Sequence, residues 1–173
     1  MHKEELVARV AKETDLQKKV VNSVVEEFAR HTVQSVSRGE TISLAHFGAF
    51  EAIIEPPAKR RPFFAADGDL SNVPVEVDAG SIQVVAAATA QEAPVVTQIL
   101  SRALTIIKTV LLNGSRVTIE DFGTFEMGTA PSRTLVDPDT NEKFVAKQQA
   151  RMRFRAGKLF SDLVLKTIPA HLS

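Results

Sequence analysis

Apolar residues recur at two spacings along this chain, and the switches between them mark its elements. Leu6, Val7, Val10 and Ala11 fall at helical spacing among charged residues, which predicts a short amphipathic helix over Met1 to Asp15. Asp15 is expected to cap a second helix, Leu16 to Arg38, whose stripe includes Val20, Val24, Phe28 and Val36 and which Gly39 stops. Glu40 to His46 then alternates as a strand does. Phe47-Gly48-Ala49-Phe50 follows, with a glycine that lets the backbone turn close between two buried phenylalanines. Pro94 suits the first turn of a helix reaching Asn113, which is apolar on nearly every side and needs cover on more than one face.

Beyond it, Arg116 to Phe125 and Glu142 to Phe154 alternate on either side of Asp137-Pro138-Asp139-Thr140-Asn141, a turn-forming string. That arrangement predicts a long hairpin with one polar face. Lys143, Lys147, Arg151, Arg153 and Arg155 occupy odd positions of the returning run, so a period of two places them on one side. A segment from Lys158 to Thr167, with Leu159, Phe160, Leu163 and Val164 at helical spacing, is expected to close the second copy.

The second half repeats the first. Gly39 corresponds to Gly114, Ile42 to Val117, Phe47 to Phe122, Phe50 to Phe125 and Pro56 to Pro131, all at an offset of 75. Ser81 to Ala88 reads either as a closing helix of copy one or as an opening helix of copy two. The offset, which maps Val7 and Val10 onto Ile82 and Val85, favours the second.

FGTF, a long arm with a proline at its tip, and RFRAGK leading into a helix resemble, over Asn113 to Ile168, the HU/IHF family of bacterial histone-like DNA-bending proteins. HKEELVARVAKETDL, a long helix and RGETISLAHFGAF resemble the same family from Met1 through Phe50. The resemblance implies an α+β fold of two helix-helix-β-hairpin repeats with extended arms, residues 1–79 and 80–173, interlocked as a pseudo-dimer within one chain. In that family two β-arms reach around DNA and insert a tip proline between base pairs; Pro138 matches that proline. In copy one, the run Pro56 to Pro62 is expected to supply the outgoing limb and tip, with Pro62 in the tip role and Asn72 to Gly80 as the re-entry strand. The second arm departs from the family at Leu135 and Val136, where glycine and arginine are common, and at Asp137, where asparagine is usual.

Charge complicates the picture, because 21 basic and 21 acidic residues cancel, whereas nucleic-acid binders usually carry a basic excess. Residues 1–80 hold 10 Lys/Arg against 13 Asp/Glu, and residues 81–173 hold 11 against 8, so the basic balance lies in copy two. There is no cysteine, which excludes disulfides and thiolate metal sites. The four histidines lack metal-ligand spacing, the arm-tip carboxylates lack the glycine and glutamate of a calcium loop, and no nucleophile or phosphate loop stands out. No enzyme, cofactor or metal is expected. No apolar run approaches membrane-spanning length, and the charged start is unlike a signal peptide, so a cytoplasmic, nucleoid-associated protein is expected.

The candidate DNA-binding residues are Arg133, Pro138, Lys143, Lys147, Arg151, Arg153, Arg155 and Lys158 in copy two, with Lys59, Arg60, Arg61 and Pro62 in copy one. Such cations would hold phosphates without reading bases, and Pro138 would wedge a base step. Phe47, Phe50, Phe122 and Phe125 are expected in the core. The partner implied is double-stranded DNA, bound by a self-contained pseudo-dimer or a homodimer. The alternative is a scaffold or dimerisation module that keeps the fold without binding DNA.

Overall fold

The computed structural model describes residues 1–55, 59–68, 71, 73–129, 133–146 and 150–166. Copy one opens with α1 (Lys3–Thr14) and α2 (Lys18–Ser37), followed by β1 (Ile42–Ala45), β2 (Gly48–Glu55), β3 (Lys59–Ala66) and β4 (Glu76–Val77). Copy two runs through α3 (Ala79–Thr89), α4 (Ala93–Leu112), β5 (Val117–Ile119), β6 (Gly123–Thr129), β7 (Arg133–Val136), β8 (Lys143–Ala146), β9 (Ala150–Ala156) and α5 (Lys158–Lys166). Among the described residues the strands form three antiparallel sheets, in the orders β3-β2-β1-β4, β5-β6-β9 and β7-β8.

The repeat is visible in the backbone. Left-handed residues recur at the 75-residue offset, Asp15 with Ala90, Gly39 with Gly114 and His46 with Asp121. The first pair corrects one expectation: Asp15 ends α1 in the αL conformation instead of opening α2, whose N-cap is Gln17. The helix α3 stands where the offset puts the counterpart of α1, so Ser81 to Ala88 belongs to an opening helix. Asp78 caps it, its carboxylate accepting the Ser81 N–H at 2.9 Å.

Packing interlocks the copies. The helix α1 lies on α4 and α3 lies on α2, so each opening helix covers the other copy's long helix. This is the cover that α4 requires, and Val96, Ile99, Leu100, Leu104, Ile107 and Leu111 are all buried. By length and composition α4 could cross a membrane, contrary to the reading that no run approaches that length; half of it is buried inside this fold. The residues that lead into α1 and into α3 each pair along a strand. Thr118 donates its N–H to the Met1 carbonyl at 2.8 Å, and β4, which leads into α3, pairs with β1 through Leu44↔Val77.

At the centre, Phe47, Phe50 and Phe64 meet Phe122, Phe125 and Phe154. The contacts mirror one another, with Phe47–Phe125 centroids 5.6 Å apart and Phe50–Phe122 5.5 Å apart. All four FG-x-F phenylalanines are buried, as expected. Phe64 and Phe154 reach this core because each ring lies against a glycine, Gly48 and Gly123 respectively, where a side chain would collide with it.

Copy one's arm differs from its expected course. The re-entry strand is β3, not Asn72 to Gly80, and Pro62 sits inside β3 opposite Ala52 instead of at a tip. Proline is tolerated there because β3 is an edge strand, where a missing ladder donor costs least. Pro56, Pro57 and Ala58, between β2 and β3 in the chain, fall outside the described residues, as do Asn72 and Pro131. In copy two the alternating run Arg116 to Phe125 is two strands folded at Asp121 and Phe122, so the arm's outgoing limb is β6 and β7.

Candidate nucleic-acid interface

The second arm begins as the β6-β9 ladder, Gly123↔Ala156 through Thr129↔Ala150, and resumes as β7-β8, Arg133↔Ala146 through Val136↔Lys143. Four positions separate Thr129 from Arg133 and Ala150 from Ala146, so both ladders keep one register. Alternation on β9 turns Met152 into the core and leaves Arg151, Arg153 and Arg155 exposed. Those three arginines therefore share a face.

Two of them are held in place. Arg155 pairs with Glu126 across the sheet at 2.7 Å while remaining 71 % exposed, and Arg153 donates to the Thr129 carbonyl at 3.1 Å as it lies across Gly128. Restraint of this kind lowers the side-chain entropy lost when a guanidinium engages a phosphate. The pairing with Glu126 was missed from sequence. Cross-strand parity is the signal, since Glu126 lies directly opposite Arg153 and one diagonal from Arg155.

The tip is a closed turn. Asp137 donates its N–H to the Glu142 carbonyl at 2.9 Å, and its own carbonyl accepts the Asn141 N–H at 2.8 Å. Its carboxylate accepts the Asp139 N–H at 2.9 Å, and Asn141 takes a φ of 62°, a conformation asparagine tolerates. Asp137 thus stands in the tip as a turn former. Pro138 is exposed at its apex. Below it, Leu135, Val136, Phe144 and Val145 are 42 to 66 % exposed, so this part of the arm presents apolar side chains beside the exposed Lys143.

The remaining candidates divide. Lys143 is exposed opposite Val136, and Lys158 is exposed at the start of α5. Arg133 lies in β7 opposite Ala146, and Lys147 falls outside the described residues. In copy one Lys59 is exposed, Arg61 is half-buried with its guanidinium 5.7 Å from the Phe63 ring centre, and Pro62 is half-buried in β3. Arg60 is a correction. It is 6 % exposed, on the strand face shared with Phe64 and near Gly39, and so is withdrawn from the surface cations.

Two partly buried polar contacts between the copies also escaped the sequence reading. Lys108, inside α4, donates to the His46 carbonyl at 2.8 Å. His31 Nε2 lies 3.0 Å from Ser81 Oγ, which in turn donates to Asp78 at 2.8 Å. Burial holds the His31 pKa below the ordinary imidazole value, against the opposing pull of Asp78.

A family model described as "Bacterial DNA-binding protein" matches residues 1–70 and again residues 81–165. The chain is 35 % identical over 82 residues to DNA-binding protein HU of Thermus thermophilus, covering 47 % of this chain and 84 % of that one. To DNA-binding protein HU 2 of Streptomyces coelicolor it is 43 % identical over 51 residues, covering 30 % of this chain and 23 % of the relative's length. Among solved structures it is similar to a chain of an Anabaena HU-DNA cocrystal structure, with 32 % identity, a TM-score of 0.43, and coverage of 46 % of this chain and 86 % of that one.

Proposed function

We propose, from the premise that this chain belongs to the bacterial DNA-binding protein family over both of its copies, that it is an architectural protein that bends or compacts duplex DNA. The observation that carries this reading is the row of outward arginines on β9, two of them held by protein contacts while still exposed. Arg151, Arg153 and Arg155, with Lys143 and Lys158, take phosphates; Arg133 and Lys147 belong to the same arm. Pro138, exposed at the apex of a closed turn, is the wedge that unstacks a base step. Bending costs a few kcal/mol, which the added phosphate contacts offset. Base preference is weak, because contacts of this type position the duplex without reading it.

The functional unit in this proposal is one chain acting as its own pseudo-dimer, with repeats 1–79 and 80–173, in the nucleoid of the cytoplasm and without catalysis. The shared phenylalanine core supports it, since neither copy encloses its rings alone. A second reading, an assembly scaffold, draws on the four exposed apolar residues beneath an acidic tip. Fluorescence anisotropy on a duplex of about 35 base pairs across a salt series separates the two. Removing Arg151, Arg153 and Arg155 together lowers the log-log salt slope by roughly 2 to 3, at about 0.9 for each phosphate no longer neutralised. A slope unchanged by the triple substitution contradicts this assignment.

A further inference from the structure

The two arms can be aligned residue for residue through their ladders. Phe50↔Phe64 in copy one is Phe125↔Phe154 in copy two, and Gly48↔Ala66 is Gly123↔Ala156. The outgoing strands therefore keep the 75-residue offset while the returning strands stand 90 apart. The last pair of arm one, Glu55↔Lys59, occupies the places of residues 130 and 149. Arm two spends twenty residues between those places and arm one five. The missing fifteen, about seven on each limb, shorten arm one by roughly 23 Å at about 3.3 Å per residue. Arm one stops where arm two starts to project.

The same alignment compares the faces. Arg151, Arg153 and Arg155 correspond to Arg61, Phe63 and Ala65, so copy one keeps a single cation of the three, and Arg61 rests against Phe63. Around Ala65, the depression on copy one's outer sheet face is lined by Ser43, Ala49, Asp67, Glu76 and Asp78. Where copy two offers guanidinium, copy one offers small side chains bordered by carboxylates, which repel phosphate.

We infer that this protein takes duplex DNA from one side only: its substrate is a site of about one helical turn, ~10 base pairs, deflected once at arm two. A two-armed member grips at two points; here copy one closes the core and leaves the duplex free, so the sequence candidates Lys59 and Arg61 take no phosphate. The inference rests on the DNA-binding reading.

The test is anisotropy of the full chain on blunt duplexes of about 10, 20 and 30 base pairs, beside a Lys59→Ala, Arg61→Ala variant. The expected results are affinity per site that changes by less than about threefold from ~10 to ~20 base pairs, and a variant within about twofold of the native chain. A tenfold gain with the longer duplex, or a tenfold loss in the variant, overturns the one-sided grip while leaving DNA binding intact. No binding to any duplex at low salt overturns the DNA-binding reading, and this inference with it. Urea unfolding of the variant, expected to match the native chain, ties any loss of affinity to the removed cations.

Discussion

The centre of this molecule and its periphery keep the repeat to different degrees. In the core, Phe47, Phe50 and Phe64 are matched one for one by Phe122, Phe125 and Phe154, with mirrored distances. In the arms, one copy keeps a projecting limb with three exposed arginines and the other ends at Glu55↔Lys59. The difference follows from what each region must satisfy. A close-packed shared core constrains both copies together, because a change in one ring is felt by the partner's rings. A solvated arm is constrained only by what it touches, so fusing two copies into one chain lets one arm shorten while the fold persists.

The largest expected effect tests the symmetric half of that comparison. Phe50→Ala and Phe125→Ala should each destabilise the protein by about 3 to 5 kcal/mol in urea unfolding, and by similar amounts. Strongly unequal losses would show that one copy carries the core. Next, Gly48→Ala and Gly123→Ala should each cost about 1 to 3 kcal/mol, since a methyl group meets the Phe64 or Phe154 ring and the adjoining backbone carbonyl. A smaller effect lies between the copies. His31 has a lowered folded pKa, so the unfolded chain binds more protons as the medium acidifies. Stability should therefore fall as pH drops from 7 through the unfolded imidazole's value of about 6.5, and His31→Gln should flatten that part of the profile in thermal melts.

Much of the core was legible in the sequence because it follows periodicity. The valine and leucine stripes, FGAF and FGTF, and the 75-residue offset place the helices and the four central phenylalanines from residue order alone. What was not legible depends on register and tertiary contact. Pro62 takes the tip role from the resemblance, as the proline that ends the run from Pro56; only the pairing Ala52↔Pro62 shows it on an edge strand. The mistaken re-entry strand came from the resemblance of Asn72 to Gly80 to the family's returning strand, in a copy whose arm is fifteen residues shorter. Arg60 and Lys108 are buried, which strand or helix spacing alone does not reveal, since a long cationic side chain can fold inward where polar partners exist. The row Arg151, Arg153, Arg155 was readable because strand alternation fixes its face, whereas the restraint of Arg155 by Glu126 required the cross-strand register.

The most direct measurement is energy transfer between dyes at the ends of a duplex of about 35 base pairs, with the native chain and with a variant whose residues 130–149 are replaced by the five residues 55–59. Thr129↔Ala150 and Ile54↔Arg60 are equivalent pairs, so the graft joins matched strand ends. Transfer should rise when the native chain binds, by the shortening that a bend of some tens of degrees produces. The two-stub variant should fold with the same cooperative transition and leave transfer at the free-duplex value. Equal bending by both proteins, or binding by the native chain with no rise in transfer, would contradict the account that arm two deflects the DNA.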